Sequence, residues 1–467
     1  MLNLKLINIV EQCNAKLVVP EGTIDSDWYE LRPEGVVLDS REVKEGFVFA
    51  AYKGERSDGH DYITDVIKKG ASAVICQQLP EKVCCPCLVV EDTLQAVKTL
   101  AAYYRSIMNV KIVGIVGSVG KTSTKEYVAS VLARRYKVLK GQGNHNNLLG
   151  LSLEILRLTQ ADEMAVLEMG ISDFGEMDRL ADLVRPHSIV FTNIGECHLE
   201  FLGDRDGVLK AKTECLKYLD PTGFVVINAK DDKLCTIEGI NGKKPYRVGT
   251  VDSDVYADGI HVNGVYGTDF VLHIGLGLDK DIKAHTMLPG AHMVLNAMEA
   301  AAVGALYGLN EKEIADGIEA ARSLPGRSNL INTGRYIIVD DCYNANGASM
   351  KAAIDLLKTA NGRKVAVLGD MYELGERSKD IHEQTGRYAV SEGIEVLLCV
   401  GKNCEDMYRA AMSELMCEMQ QISYFKTNDE LLERLPSIIE DGDTILVKAS
   451  HGMNFAQIVD HLKTPDR

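Results

Sequence analysis

Lys121 and Thr122 stand in the string GIVGSVGKTSTKE, residues 114–126, after a short apolar run and before residues with helical periodicity. A lysine and a hydroxyl opening a helix, preceded by glycines, are the parts of a phosphate-binding loop. Backbone N–H groups at a helix N-terminus carry partial positive charge, the lysine adds a full one, and the hydroxyl suits Mg2+. The usual pattern, G-x-x-x-x-G-K-[ST], wants a glycine where this chain has Ile115, and Gly114 and Gly117 both miss that register. What remains is a shorter loop, Gly117, Ser118, Val119 and Gly120, running into Lys121, Thr122 and Ser123, with every working part present. Glu168 closes the apolar run MAVLEMG. A carboxylate at the C-terminal end of a buried strand, beside such a loop, is where a nucleotide-bound metal finds an oxygen ligand; a solvated strand-end acid is the plain alternative. His198 follows the run SIVFTNIG by a short loop, where a lone histidine is more often structural. Lys210, Lys212 and Lys217 share the segment GVLKAKTECLKYL and read as a solvated helix face; nothing in the residues themselves selects one of them.

These groups need strands and helices to hold them. KIVGIVG reads as a buried parallel strand before the loop, and SVGKTSTKEYVASVLARRY as the helix after it. MAVLEMG, SIVFTNIG and GFVVINAKDD read as further buried strands of the same unit. From about 246 to 288 the pattern changes to alternation and turns, which predicts a β-meander or hairpins, and HMVLNAMEAAAVGALYGL reads as a helix. Residues 1–108 form a smaller α/β unit, with strands in ASAVIC and CLVVED and a closing helix in TLQAVKTLAAYYRSI. LPGRSN, residues 324–329, combines Pro and Gly and marks a hinge. Beyond it, YIIVDD, KVAVLGD, VLLCVG and TILVKAS alternate with helical segments, which predicts a parallel doubly wound sheet. The expected fold is α/β in three domains: 1–108, a central 109–328 and a C-terminal 329–467.

At 467 residues the chain has room for about three domains. A formal net charge of -16 argues against nucleic acid and anionic membranes as partners, because phosphate surfaces require a basic face. No basic n-region precedes an apolar run at the N-terminus and no stretch of 18 apolar residues occurs, so a cytoplasmic protein without membrane insertion is expected. The 12 cysteines are scattered and read as reduced thiols. Three of them crowd into VCCPCLVV, but no second Cys/His pair stands at zinc spacing, and thiols at a strand edge are the expectation there.

GSVGKTS, LEMG, TNIGECHLEFLGDRDGVLKAK and DDCYNAN, in this order and spacing, resemble the Mur ligases, whose loop is G-x-x-G-K-[ST]. Within the family, DSREVKEGFVFAAYKGERSDGHDYI, GNHNNLLG and LGDMYELGERS resemble the member that adds D-alanyl-D-alanine to the UDP-N-acetylmuramoyl-tripeptide, a step of peptidoglycan precursor synthesis. The resemblance implies a small N-terminal domain for the uridine end of the substrate. It implies a central P-loop-type parallel sheet that binds ATP with Mg2+, and a Rossmann-like C-terminal domain that positions the amino component. It further implies that Gly117, Ser118, Val119, Gly120, Lys121, Thr122 and Ser123 form the ATP loop. Thr122, Glu168, His198 and a carbamylated Lys212 would be metal ligands. Asn296 would lie near adenine, Arg327 at the ATP phosphates and Asp341 at the ribose. Ser40 and Arg41 would meet the uridine end, and Asn146 and Asn147 the muramoyl part. Three positions depart from the family's pattern: Met293 stands where Asn is usual, Ser152 where Pro is usual, and His451 where Arg is usual. The chain is expected to act as a monomer. A sister ligase adding lysine or diaminopimelate, and a P-loop switch that binds nucleotide without any UDP-linked peptide, are the competing readings.

Overall fold

The computed structural model describes residues 4–55, 57–278, 281–414 and 421–464. Three sheets organise the chain. The first contains β1 (Lys16–Val18), β2 (Gly35–Val37), β3 (Phe47–Ala50), β4 (Ala73–Cys76) and β5 (Cys87–Val89) in the order β1-β5-β4-β3-β2, parallel except for the β1–β5 pair. The second contains β6 (Lys111–Val116), β7 (Val138–Lys140), β8 (Met164–Glu168), β9 (Ser188–Phe191), β10 (Phe224–Asn228), β11 (Tyr246–Val248), β12 (Val255–Val262), β13 (Thr268–Ile274) and β14 (Ile282–Thr286). Its order is β14-β13-β12-β11-β10-β9-β6-β8-β7. The third contains β15 (Asn329–Asn332), β16 (Ile337–Asp340), β17 (Lys364–Gly369), β18 (Val396–Val400), β19 (Gln421–Phe425) and β20 (Thr444–Lys448), ordered β15-β16-β20-β17-β18-β19.

β6 explains why the central sheet is covered on both faces. Ile112 and Val116 pack with Leu167, Phe191, Leu151 and Met177 on one side. Val113 and Ile115 pack with Val166, Val190, Tyr127 and Ala297 on the other. Side chains alternate across a strand, so a continuous apolar run fills two cores at once. One core is closed by helices Leu148–Leu156 and Glu176–Val184, the other by helices Lys121–Leu132 and Met293–Leu306. β6 lies between β8 and β9, so the connections from its neighbours leave on opposite sides and a crevice opens at its C-terminal end. The phosphate loop occupies that crevice.

Several expectations need correction. The meander is confined to β12, β13 and β14, which pair antiparallel; β11 is parallel to both its neighbours and continues the central sheet. The central sheet is therefore mixed and nine-stranded. The third sheet is parallel from β16 to β19, but the hinge leads into β15, which pairs antiparallel with β16 and caps the edge. Alternation alone does not distinguish these pairings, because strand direction depends on which neighbour is reached. Of the VCCPCLVV thiols, Cys84 and Cys85 precede β5 and Cys87 is its first residue; Cys85 and Cys87 are buried and Cys84 is exposed. The eleven cysteines among the described residues are all free, and Cys417 lies outside them. Among the described residues no helix is long and apolar enough to cross a membrane.

Helix Thr93–Ile107 ties the first unit to the second. Tyr104 donates to Leu158 O at 2.7 Å. Arg105, 7% exposed, donates to Val184 O at 2.7 Å, Met108 O at 3.1 Å and Arg185 O at 3.1 Å. A cation at the carbonyl end of helix Glu176–Val184 meets that helix's negative pole. Arg105→Ala strands three carbonyls. It should lower stability by about 2 kcal/mol, seen as a lower urea midpoint with an unchanged slope.

Candidate active site

The loop is shaped by two glycines. A Cβ on Gly117 would sit 1.9 Å from Thr192 Oγ1, and Gly120 has φ +83°, the left-handed region. The residues after β9 hold the loop from beneath. Val119 N donates to Asn193 Oδ1 at 2.9 Å, Thr192 Oγ1 donates to Val119 O at 2.6 Å, and Gly195 N donates to Ser118 Oγ at 2.9 Å. Lys121 arches back to donate to Gly117 O at 2.9 Å. Helix Lys121–Leu132 starts here with its first N–H groups lacking intrahelical acceptors, so the loop presents an anion cradle.

A cavity of about 630 Å3 opens above the loop, walled by the central and C-terminal units. Glu168 lines it with only 5% of its surface exposed. Thr122 Oγ1 donates to its Oε2 at 2.8 Å and Asn146 Nδ2 to its Oε1 at 3.1 Å. Burial works against the charge. Lys121 and Arg327, together with these two hydrogen bonds, outweigh it and hold the carboxyl below the ordinary carboxylate pKa. Arg327 lies over the Tyr343 ring at 3.8 Å, and Tyr343 stands 5.3 Å from the His451 ring.

Lys212 corrects the reading of its helix as a solvated face. Lys210 and Lys217 are exposed, but Lys212 is 1% exposed. Burial first, then the neighbouring Lys121, lowers its pKa to about 8. Its charge is felt at His198, yet it does not form part of the cavity wall. His198 sits at φ +52°, and its Nδ1 stands 2.8 Å from Glu373 Oε2 of the C-terminal unit. That contact lacks hydrogen-bond geometry, leaving the buried nitrogen without a hydrogen-bond partner among the described residues. Burial, despite Glu373, lowers the ring's pKa. Arg377 pairs with Glu196 beside it.

Other expected residues fall in different places. Asp341 lines the cavity, but its Oδ1 accepts from Ser328 N at 2.9 Å and its Oδ2 from Lys448 at 2.6 Å, so it also fastens the hinge. Asn147 reaches the cavity rim and caps helix Leu148–Leu156 by accepting from Gly150 N at 2.9 Å. Asn296 donates to Thr124 Oγ1 at 2.7 Å and to Gly120 O at 3.3 Å. Ser40 and Arg41 lie in the first unit, outside the cavity wall; Arg41 forks onto Asp39. A larger cleft of about 1410 Å3 between helices Thr93–Ile107 and Glu176–Val184 shares Asn147, Gly170 and Glu176 with the cavity.

Sequence reasoning gave no role to Tyr343, Glu373, Lys448, Thr124 or Glu299. Glu373 lies in the GDMYELG string, whose distinctness was the available signal. Glu299 is fully buried on helix Met293–Leu306, and burial pushes its pKa up to about 8.

The fold and the site define a P-loop protein in which a second α/β unit stands over the loop. The description "Mur ligase middle domain" matches residues 115–304, "Mur ligase, glutamate ligase domain" residues 326–451, and "Mur ligase family, catalytic domain" residues 33–105. The UDP-N-acetylmuramoyl-tripeptide--D-alanyl-D-alanine ligase of Bacillus subtilis (strain 168) is 34% identical over 452 residues, covering 95% of this chain and 96% of that one. A crystal structure of MurF from Acinetobacter baumannii superposes with a TM-score of 0.84 at 29% identity, covering 99% of both chains. The MurF ligase of Thermotoga maritima in complex with ADP gives 0.76 at 27% identity, covering 93% of this chain and 97% of that one. The chain belongs to the Mur ligase family.

Lys212 has a lowered pKa, so its burial penalises folding below about pH 8, and the penalty fades as pH rises towards the unfolded value near 10.5. With carbon dioxide excluded, so that the free amine titrates, Lys212→Met should therefore raise the thermal midpoint at pH 7, with the gain over the unsubstituted chain shrinking by pH 10. Equal gains at both pH values would contradict the assignment.

Proposed function

We propose that the chain is the ligase that joins D-alanyl-D-alanine to UDP-N-acetylmuramoyl-tripeptide, using ATP, in peptidoglycan precursor synthesis. The observation that carries the chemistry is the ionised, buried Glu168 set between Thr122, Lys121 and Arg327 at the mouth of the phosphate loop. The near full-length likeness to ligases of that name supports the substrate assignment.

A carboxylate is a poor acyl donor because its oxide leaves badly. Transfer of the ATP γ-phosphoryl group to the tripeptide carboxylate yields ADP and an acyl phosphate. The dipeptide amine then attacks the carbonyl carbon, and the C–O bond to phosphate breaks. Both stages concentrate negative charge at the loop. The N–H groups of Gly120, Lys121 and Thr122 and the Lys121 ammonium are placed to stabilise it, with Arg327 approaching from the hinge. Asn296 is assigned to the base, Asp341 to the ribose, Asn146 and Asn147 to the muramoyl side, and Ser40 and Arg41 to the uridine end.

The donors fit Mg2+. Thr122 Oγ1 and the Glu168 carboxylate are in contact and His198 lines the same cavity, with its Nδ1 2.8 Å from Glu373 Oε2; hard cations favour such oxygen-rich sets. Mg2+ held there supplies charge neutralisation for the phosphates. Lys212 is assigned as a carbamate. Attack on carbon dioxide requires the free amine, and its lowered pKa makes that form accessible. The carbamate replaces a buried cation that opposes Lys121 with an anion that complements it.

Each sheet is assigned a domain, with limits 1–108, 109–328 and 329–467. The reaction is placed in the cytoplasm, where ATP is available and free thiols persist. The chain is taken to work as a monomer.

With all three substrates, Lys121→Ala should reduce turnover about 100- to 1,000-fold while the protein stays folded. Lys212→Ala should lose activity and regain part of it with added formate or acetate; no rescue would remove the carbamate assignment. Tripeptide labelled with 18O in its reacting carboxylate should release labelled phosphate, and only when D-alanyl-D-alanine is present. Phosphate release from ATP alone at the full rate would favour a nucleotide switch instead.

A further inference from the structure

The proposed chemistry makes no use of Glu299, a carboxyl with no exposed surface. It projects from helix Met293–Leu306 towards helix Lys121–Leu132, where Thr124 Oγ1 donates to its Oε2 at 2.8 Å. Its Oε1 has no hydrogen-bond partner among the described residues. Thr124 Oγ1 in turn lies 2.7 Å from Asn296 Nδ2, which is also 3.3 Å from the Gly120 carbonyl oxygen. The chain of contacts thus runs from a buried acid, through a hydroxyl, to a side-chain amide that borders the nucleotide cavity.

The direction of this chain follows from the groups themselves. A hydroxyl has one hydrogen, and Thr124 gives it to Glu299, so only its lone pairs are left for Asn296. The Gly120 carbonyl can only accept. Both neighbours of the amide therefore call for its NH2 group, and the amide oxygen must face the other way. The reverse arrangement, with a carboxyl proton donated to Thr124 and Thr124 donating to the amide oxygen, would set that oxygen 3.3 Å from Gly120 O, acceptor against acceptor. Oxygen and nitrogen of an amide are distinguished by such networks rather than by shape.

We propose that Thr124 and Glu299 are positioning residues that fix Asn296 with its Oδ1 towards the cavity, so that the site selects a purine carrying a 6-amino donor over one carrying a 6-oxo acceptor. The inference rests on the reading that the base of the nucleotide lies along Asn296. Inosine triphosphate is the probe, because it presents a 6-oxo group where ATP presents 6-amino and leaves the triphosphate unchanged. A site built to pair one polar group rejects the analogue that leaves it unpaired.

Initial rates with ATP and with inosine triphosphate, at saturating tripeptide precursor and D-alanyl-D-alanine, give the ratio of the two kcat/KM values. Thr124→Val should lower that ratio about tenfold, mainly through KM, and Thr124→Ser should restore it. Glu299→Leu should follow Thr124→Val, whereas Glu299→Gln, which keeps an acceptor for the hydroxyl, should retain the original ratio. A structural role alone would depress both nucleotides equally and leave the ratio unmoved; that result in Thr124→Val and Glu299→Leu overturns the proposal. Asn296→Ala separates the two layers of the argument. If it collapses the ratio while Thr124→Val does not, the relay is wrong and the placement of the base stands. If Asn296→Ala leaves the ratio intact, the base does not lie there and the inference falls with that placement.

Discussion

Glu168 can remain charged at 5% exposure only because cations reach it from two directions. Lys121 comes from the loop of the central unit and Arg327 from the hinge that leads into the C-terminal sheet. The acid therefore senses the relation of the two units: separation of the hinge from the loop would leave a buried carboxylate with less compensation for its desolvation.

The hinge is fastened by a parallel device on the other side. Asp341, at the end of β16, is shared between Ser328 N and Lys448, the last residue of β20. Gly326 N donates to Asp340 Oδ2 at 2.8 Å. Two adjacent acids thus hold the segment from which Arg327 reaches the Tyr343 ring and lends its charge to Glu168. A second contact line, His198 with Glu373 and Arg377 with Glu196, joins the same two units across the cavity. These contacts depend on charge, so nucleotide and substrate anions entering the cavity compete with them directly.

Behind the loop, burial produces two opposite outcomes. Lys212 is pushed towards its neutral form. Glu299 is pushed towards its neutral form too, but it lies against Thr124 and serves the hydrogen-bond order of the loop's rear wall. The same physical penalty favours the neutral form of a base in one case and of an acid in the other.

The phosphate loop, its strand and its helix were legible in the sequence because the signal is local: an apolar run, glycines, a lysine and a hydroxyl at fixed offsets. The strand ending in Glu168 and the alternation of strands and helices in the C-terminal unit were legible for the same reason. The spacing of residues could not decide which of Lys210, Lys212 and Lys217 is buried, since that depends on which distant segments pack against each of them. Nor could it reveal that β11 joins the central sheet in parallel, that β15 turns back antiparallel, or that Thr124 meets Glu299 across 175 positions of chain. Local patterns specify which element a segment forms; pairings between distant segments, and the burial and charge that follow from them, come into being only when the elements pack.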